Sequence, residues 1–177
     1  MKHLKQSLAS CLFIAGIIYS SGTLFAQETN NNLSSSLSQF SGLIGGEWHI
    51  EGSYQVFEWG VGRKSVKSKG YTLIDGKSKL ISEGIWVWHV GENKLKGYFT
   101  AIEMPVEFFD YTTRFEGDNM MNDLKSYNAD GEEQNYFETW EFTDDDHYIW
   151  TLFALTAEGK QKVMGGKYER LNKSGKE

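Results

Sequence analysis

The sequence predicts an all-β protein: an antiparallel up-and-down β-barrel of eight to ten strands with a short N-terminal helix. Aromatic residues make up 15% of the chain and Pro105 is the single proline, which favours long strands over a helical bundle. Turn residues recur at intervals of about 10–13 residues between segments rich in aromatic and β-branched side chains. Because no segment is suited to a crossover helix, the strands are expected to be antiparallel, and closure of the sheet removes its exposed edges.

Residues 1–26 are predicted to be a secretory signal peptide. Lys2 and Lys5 precede an apolar run from Cys11 to Tyr19, and small residues lead to a cleavage position after Ala26. Such a run is too short to indicate a membrane span, and no membrane span is expected in the mature chain. Cys11 is the only cysteine, so the exported chain would have no disulfide and no thiolate. The predicted location is periplasmic or extracellular.

A polar leader and a short helix are expected to precede the barrel. Residues 27–33 are mostly polar and are predicted to be disordered. A helix is predicted over 34–43, because apolar residues recur near helical spacing at Leu33, Leu37, Phe40 and Ile44. The remaining length of about 150 residues suits one domain, predicted as a barrel over 34–171 with a tail at 172–177.

The predicted strands follow in order between turn markers. The most strand-like segments are LISEGIWVWHV (80–90), LKGYFTAI (95–102), EFFDYTTRFE (107–116), NYFETWEF (135–142) and YIWTLFAL (148–155). Alternation places Trp86 and Trp88 on one face of the first of these segments and Ile85 on the other. Because both faces carry apolar residues, one is expected to line the interior, while the helix or a second subunit covers the other. Pro105 is expected to begin a strand.

The two ends of the barrel sequence are expected to close it. Gly46 permits a tight entry into the first strand, and Trp48 follows as a plug for the open end. Arg170 lies near the end of the last strand. A guanidinium group laid across the Trp48 ring would add roughly 1–2 kcal/mol and tie the termini together.

This combination resembles the calycin superfamily of lipocalin-like barrels. The sequence is most similar to small secreted bacterial members of unknown function, in which FEWGVG (57–62) and ETWEF (138–142) also have counterparts. The likeness covers residues 36–171. It implies a barrel with a ligand cavity, typically for small apolar molecules. No histidine matches the proximal ligand of the haem-binding barrels, and no cofactor is predicted.

The predicted ligand site is a cavity of about 300–1,000 Å³ lined by aromatic side chains. Alternatively, these side chains serve only as core packing. Arg114 is a further candidate, as the anchor of a polar head group. The aromatic candidates are Trp59, Trp86, Trp88, Phe99, Phe108, Tyr111, Trp140 and Trp150.

The charge balance and the missing motifs limit the possible functions. The chain has 24 acidic residues against 18 lysines and arginines, which disfavours nucleic acid as a partner. The histidines have no metal-ligand spacing, and no catalytic motif is present, so neither a metal site nor a catalytic residue is assigned. An enzyme with Glu83 or Glu138 as a buried base, for example an isomerase or cyclase, remains an alternative.

Two other hypotheses concern the exterior of the barrel. An outer-membrane barrel would need an apolar lipid-facing side on every strand, and GRKSVKSKGY (62–71) offers none. A filled barrel could instead act as an interaction module, for which a closed interior would be the sign. A homodimer is possible in either a carrier or a module.

Overall fold

The computed structural model describes residues 36–102 and 104–171. The predicted signal peptide at 1–26, leader at 27–33 and tail at 172–177 lie outside the described residues.

The described residues form a closed barrel of ten antiparallel strands, which confirms the predicted fold class. Each strand pairs with the next, and β1 pairs with β10 to close the sheet. The strands are β1 (Glu47–Ile50), β2 (Ser53–Trp59), β3 (Ser65–Ile74), β4 (Lys77–His89), β5 (Lys94–Ala101), β6 (Phe108–Glu116), β7 (Asn119–Tyr127), β8 (Glu133–Asp144), β9 (His147–Thr156) and β10 (Gly159–Leu171). A short 3-10 turn, Val61–Arg63, lies between β2 and β3.

Residues with positive φ angles form several of the tight connections between strands. Asp75 and Gly76 both adopt positive φ angles, 50° and 72°, between β3 and β4. This pair of left-handed residues is the geometry that a tight hairpin requires. Pro105 departs from the expectation, because it lies in the loop between β5 and β6 and not at the first position of a strand.

The N-terminal helix closes one end of the barrel. An α-helical turn at 36–38 continues into a 3-10 helix, Gln39–Gly42. Phe40 is fully buried, with ring centroids 5.5 Å from Trp86 and 5.2 Å from Phe115. The expectation that this helix covers an outer apolar face is wrong, because its apolar side chains contact interior residues at the barrel end.

Alternation along the strands separates the interior from the surface. In β4, Trp86 is buried whereas Ile85 is exposed, and in β6 Phe109 is buried whereas Phe108 is exposed. The inner faces are rich in aromatic residues. As a result, rings fill the helix-capped end and leave space toward the opposite end.

Candidate functional site

The barrel contains a cavity of about 200 Å³ between its aromatic core and the end opposite the helix. Met104 and Met164 line it and are 37% and 44% exposed, so they border its opening. The cavity is smaller than predicted, because large aromatic rings occupy much of the interior. Its lining comprises Gln55, Ser68, Ile81, Ser82, Trp86, Phe99, Ala101, Met104, Phe109, Tyr111, Leu124, Glu138, Trp140, Trp150, Leu152 and Met164.

Five of the nine candidate ligand-binding residues meet at this cavity: Trp86, Phe99, Tyr111, Trp140 and Trp150. Phe99 stacks on Tyr111 at 6.1 Å, and Trp86 lies 6.0 Å from the Tyr111 ring. The rings come from β4, β5, β6, β8 and β9, and their inward positions meet at one cavity. The result is an aromatic wall around an apolar space.

The other four candidates lie outside the cavity. Phe108 stacks on Tyr127 on the outer surface, 4.8 Å away. Arg114 also faces outward, where Nη1 contacts the Asp123 carboxylate at 2.8 Å. The remaining two, Trp59 and Trp88, pack as half-buried residues against the core and do not line the cavity.

Glu138 places a carboxyl group in the cavity wall. Its side chain is only 4% exposed and lies among aromatic residues on the inner face of β8. Trp150 Nε1 donates to Oε1 at 2.5 Å, and Asn122 Nδ2 donates to Oε2 at 2.5 Å. Both carboxyl oxygens therefore accept a hydrogen bond from a neutral N–H group.

A chain of buried hydrogen bonds positions Asn122 against Glu138. Trp86 Nε1 donates to Thr113 Oγ1 at 3.1 Å, and this hydroxyl donates to Asn122 Oδ1 at 2.6 Å. Because its oxygen is fixed by Thr113, the Asn122 amide presents its nitrogen to the carboxyl group. The network links β4, β6, β7, β8 and β9 across the interior.

Desolvation dominates the electrostatics of this site. Burial raises the pKa of the Glu138 carboxyl, and this outweighs the N–H groups of Trp150, Asn122 and Trp140, which lower it. Burial and the nearby Glu138 carboxylate raise the pKa of the Tyr111 phenol well above its usual value. A proton on Glu138 is therefore held more tightly than on an exposed glutamate.

One polar group at the cavity has unused hydrogen-bonding capacity. Ser68 Oγ is buried and has no hydrogen-bond partner among the described residues, whereas the Trp140 N–H group is directed at the Glu138 carboxyl group and lowers its pKa. Buried polar groups are normally hydrogen-bonded, so unsatisfied groups lining a cavity indicate a place where a bound molecule completes the contacts.

Several lining residues were not predicted from the sequence. For Phe109 the signal was available, because Phe109, Tyr111 and Phe115 share one face of β6. No local signal identified Ser68 or Asn122, since their roles depend on how neighbouring strands are aligned.

The closed end brings Gly46, Trp48 and Arg170 together. The guanidinium carbon of Arg170 lies 4.2 Å from the Trp48 ring centre, and Arg170 Nη2 donates to the Gly42 carbonyl. Trp48 Nε1 donates to the Leu43 carbonyl at 2.9 Å. Gly46 has φ 72°, and a Cβ there would lie 3.0 Å from Arg170 Cγ. This cluster joins the chain segment before β1 to the end of β10.

Among the residues that the structure describes, no three histidine, cysteine, aspartate or glutamate side chains cluster as a metal site would require. Over the same residues, no helix has the length and apolarity needed to cross a membrane.

Comparison with known proteins leaves the site as the main source of functional information. No family model matches the chain, and no curated protein is significantly similar to it in sequence.

Proposed function

We propose that this protein is a secreted or periplasmic lipocalin-like carrier that binds a small apolar or amphipathic molecule inside the barrel. One observation carries the proposal: apolar and aromatic side chains of the strands enclose an unfilled cavity inside the barrel. A filled barrel, expected for an interaction module, would lack such a space. The ten-strand closed barrel is consistent with the calycin resemblance of the sequence.

The cavity volume limits the size of the ligand. An apolar cavity of roughly 150 Å³ accepts a molecule the size of benzene. The cavity here, about 200 Å³, therefore suits one substituted ring or a short branched chain. Because unbranched methionine side chains adapt readily, Met104 and Met164 could move aside to admit somewhat larger molecules.

Native mass spectrometry of the exported chain, purified gently from its own host, tests the carrier proposal. We expect a reproducible extra mass that solvent extraction releases as a small molecule. The matched variants are Ala101→Leu, which adds a side chain to the cavity wall, and Thr100→Leu, which adds it to the exposed face of the same strand. The first should lose the extra mass and the second should keep it.

Two outcomes would contradict the carrier proposal. A chain that stays bare after exposure to lipid and metabolite mixtures would favour the interaction module. An adduct retained equally by A101L and T100L would place the ligand outside the cavity.

An enzyme remains the second candidate because Glu138 is a buried carboxyl group with a raised pKa at a cavity. Glu83 does not qualify, since it is exposed on the outer face of β4. Carboxyl-selective NMR titration of the wild-type chain and E138Q would test this candidate. A Glu138 pKa near that of an exposed glutamate would remove its basis.

A further inference from the structure

The charge distribution around the cavity identifies a chemical class of ligand. Among the described lining residues, Glu138 is the one acidic or basic side chain. Its hydrogen-bond donors, Trp150 and Asn122, are neutral. Within the described part of the chain, no lysine, arginine or histidine forms an ion pair with it. The carboxyl group therefore has donors but no counter-charge.

An unbalanced buried carboxylate is energetically unfavourable. Hydrogen bonds from neutral N–H groups offset part of the desolvation cost, but a cation offsets more. The cations of neighbouring strands are directed elsewhere: Lys96 pairs with Asp110 at 2.7 Å, and Arg114 pairs with Asp123. Because β6 carries Asp110 and Arg114 on its outer face, neither pair reaches the interior.

The aromatic wall also favours a cation. Aromatic faces attract cations through the ring quadrupole, most strongly for tryptophan, and the attraction strengthens where water is excluded. Trp86, Trp140 and Trp150 all line the cavity together with Glu138. A positively charged group would thus meet a carboxylate and several rings in one apolar space.

We propose that the cavity binds a small primary amine, with its ammonium group at Glu138 and its apolar, ring-sized body against the aromatic wall. This inference rests on the proposed function as a small-molecule carrier and names the class of cargo. On binding, the ammonium group supplies the missing counter-charge and donates hydrogen bonds to the carboxylate oxygens. A neutral alcohol of the same shape supplies no counter-charge and donates only one hydrogen bond.

Paired probes of one shape test the inference. Benzylamine, benzyl alcohol and ethylbenzene share a ring that suits the cavity, but only benzylamine is positively charged near neutral pH. Calorimetric or ligand-observed NMR titrations of the wild-type chain should show benzylamine binding at least tenfold more tightly than benzyl alcohol. E138Q should lose this preference. E141Q, which changes an exposed carboxylate of the same strand, should keep it.

A second variant, which retains the negative charge, is used in case E138Q does not fold. Glu138→Asp keeps the carboxylate one methylene shorter and should keep a reduced preference for benzylamine. Equal or tighter binding of benzyl alcohol to the wild-type chain would overturn the amine inference while leaving a carrier of neutral molecules. Failure of benzylamine to bind would also overturn it, whereas the native adduct would decide the carrier proposal separately.

Discussion

At Glu138, a carboxyl group that is unfavourable for folding is expected to favour ligand binding. A core built entirely of apolar side chains at this position and at its hydrogen-bonding partners would carry no desolvation cost. The chain instead buries a carboxyl group and supports it through Asn122 and Thr113. Replacing a whole buried polar network with well-packed apolar residues is often neutral or stabilising, so we attribute the retention of this network to recognition and not to stability.

The raised pKa of Glu138 should make the free energy of unfolding depend on pH. Because its folded-state pKa is raised above the ordinary value of 4.5, the folded chain retains a proton that the unfolded chain releases. This contribution to the free energy of unfolding is complete below the ordinary pKa and is lost as pH rises through the folded-state pKa. As pH is raised from the ordinary pKa of 4.5 towards neutrality, the wild-type chain should lose stability relative to E138Q in urea unfolding.

The effect of Glu138 is obtained from the difference between the free energies of unfolding of the wild-type chain and E138Q. Glu133 and Asp144 have lowered pKa values, so they contribute stability that is lost on acidification, the opposite trend. Both chains contain these groups, and subtraction removes them. The tyrosines near Glu138, namely Tyr111, Tyr148 and Tyr168, have raised pKa values and stay protonated throughout this range. Parallel stability curves would contradict the raised pKa of Glu138.

At the scale of the element, the N-terminal helix acts as a plug for one end of the barrel. Leu37, Phe40 and Leu43 are fully buried, although the helix itself is short and exposes Gln39 and Ser41. A helix of this length is not stable alone, so its order depends on these buried contacts. The plug and the ring-filled interior beside it explain why the cavity opens at the other end.

Phe40→Ala should separate the helix from the barrel. Deleting a buried phenylalanine side chain costs about 3–5 kcal/mol, and the loss here also exposes Trp86 and Phe115. We expect a lower free energy of unfolding and increased binding of a hydrophobic dye. Gln39→Ala, on the exposed side of the same helix, is the matched control and should change neither. Equal effects of the two substitutions would show that the helix does not seal the barrel.

Individual strands could be predicted from the sequence, but their mutual alignment could not. Within β6, Phe108 and Tyr111 are three residues apart and must lie on opposite faces, and the structure places only Tyr111 inside. Alternation fixes which residues share a face. Which face points inward depends on pairing with β5 and β7, and ultimately on closure of the whole sheet. The same limit applies to Glu138, whose inward direction no local pattern indicates.

At the scale of the whole molecule, closure of the barrel depends on a narrow seam. β1 has four residues and pairs with β10 through Glu47–Leu171, Trp48–Arg170 and His49–Glu169. By contrast, β9 and β10 pair along almost their full length. Because a short pairing supplies few hydrogen bonds, side chains must contribute to the seam. The Arg170 contacts with Trp48 and the Gly42 carbonyl do so.

Arg170→Ala should therefore open the seam before the rest of the barrel. The loss of the cation–π contact and of the hydrogen bond should lower the free energy of unfolding by about 1–3 kcal/mol. Amide hydrogen exchange should accelerate in β1 and in the last residues of β10, while the pairing of β6 with β7 keeps its protection. Arg114→Ala is the matched control, because this exposed arginine forms surface ion pairs and lies over the Phe137 ring, so it makes the same kinds of contact away from the seam. If both variants changed exchange to the same extent across all strands, the seam would be no weaker than the rest of the barrel. A response confined to β1 and β10 in R170A would show that one cation near the end of the described chain holds the first strand in place and keeps the sheet closed around its cavity.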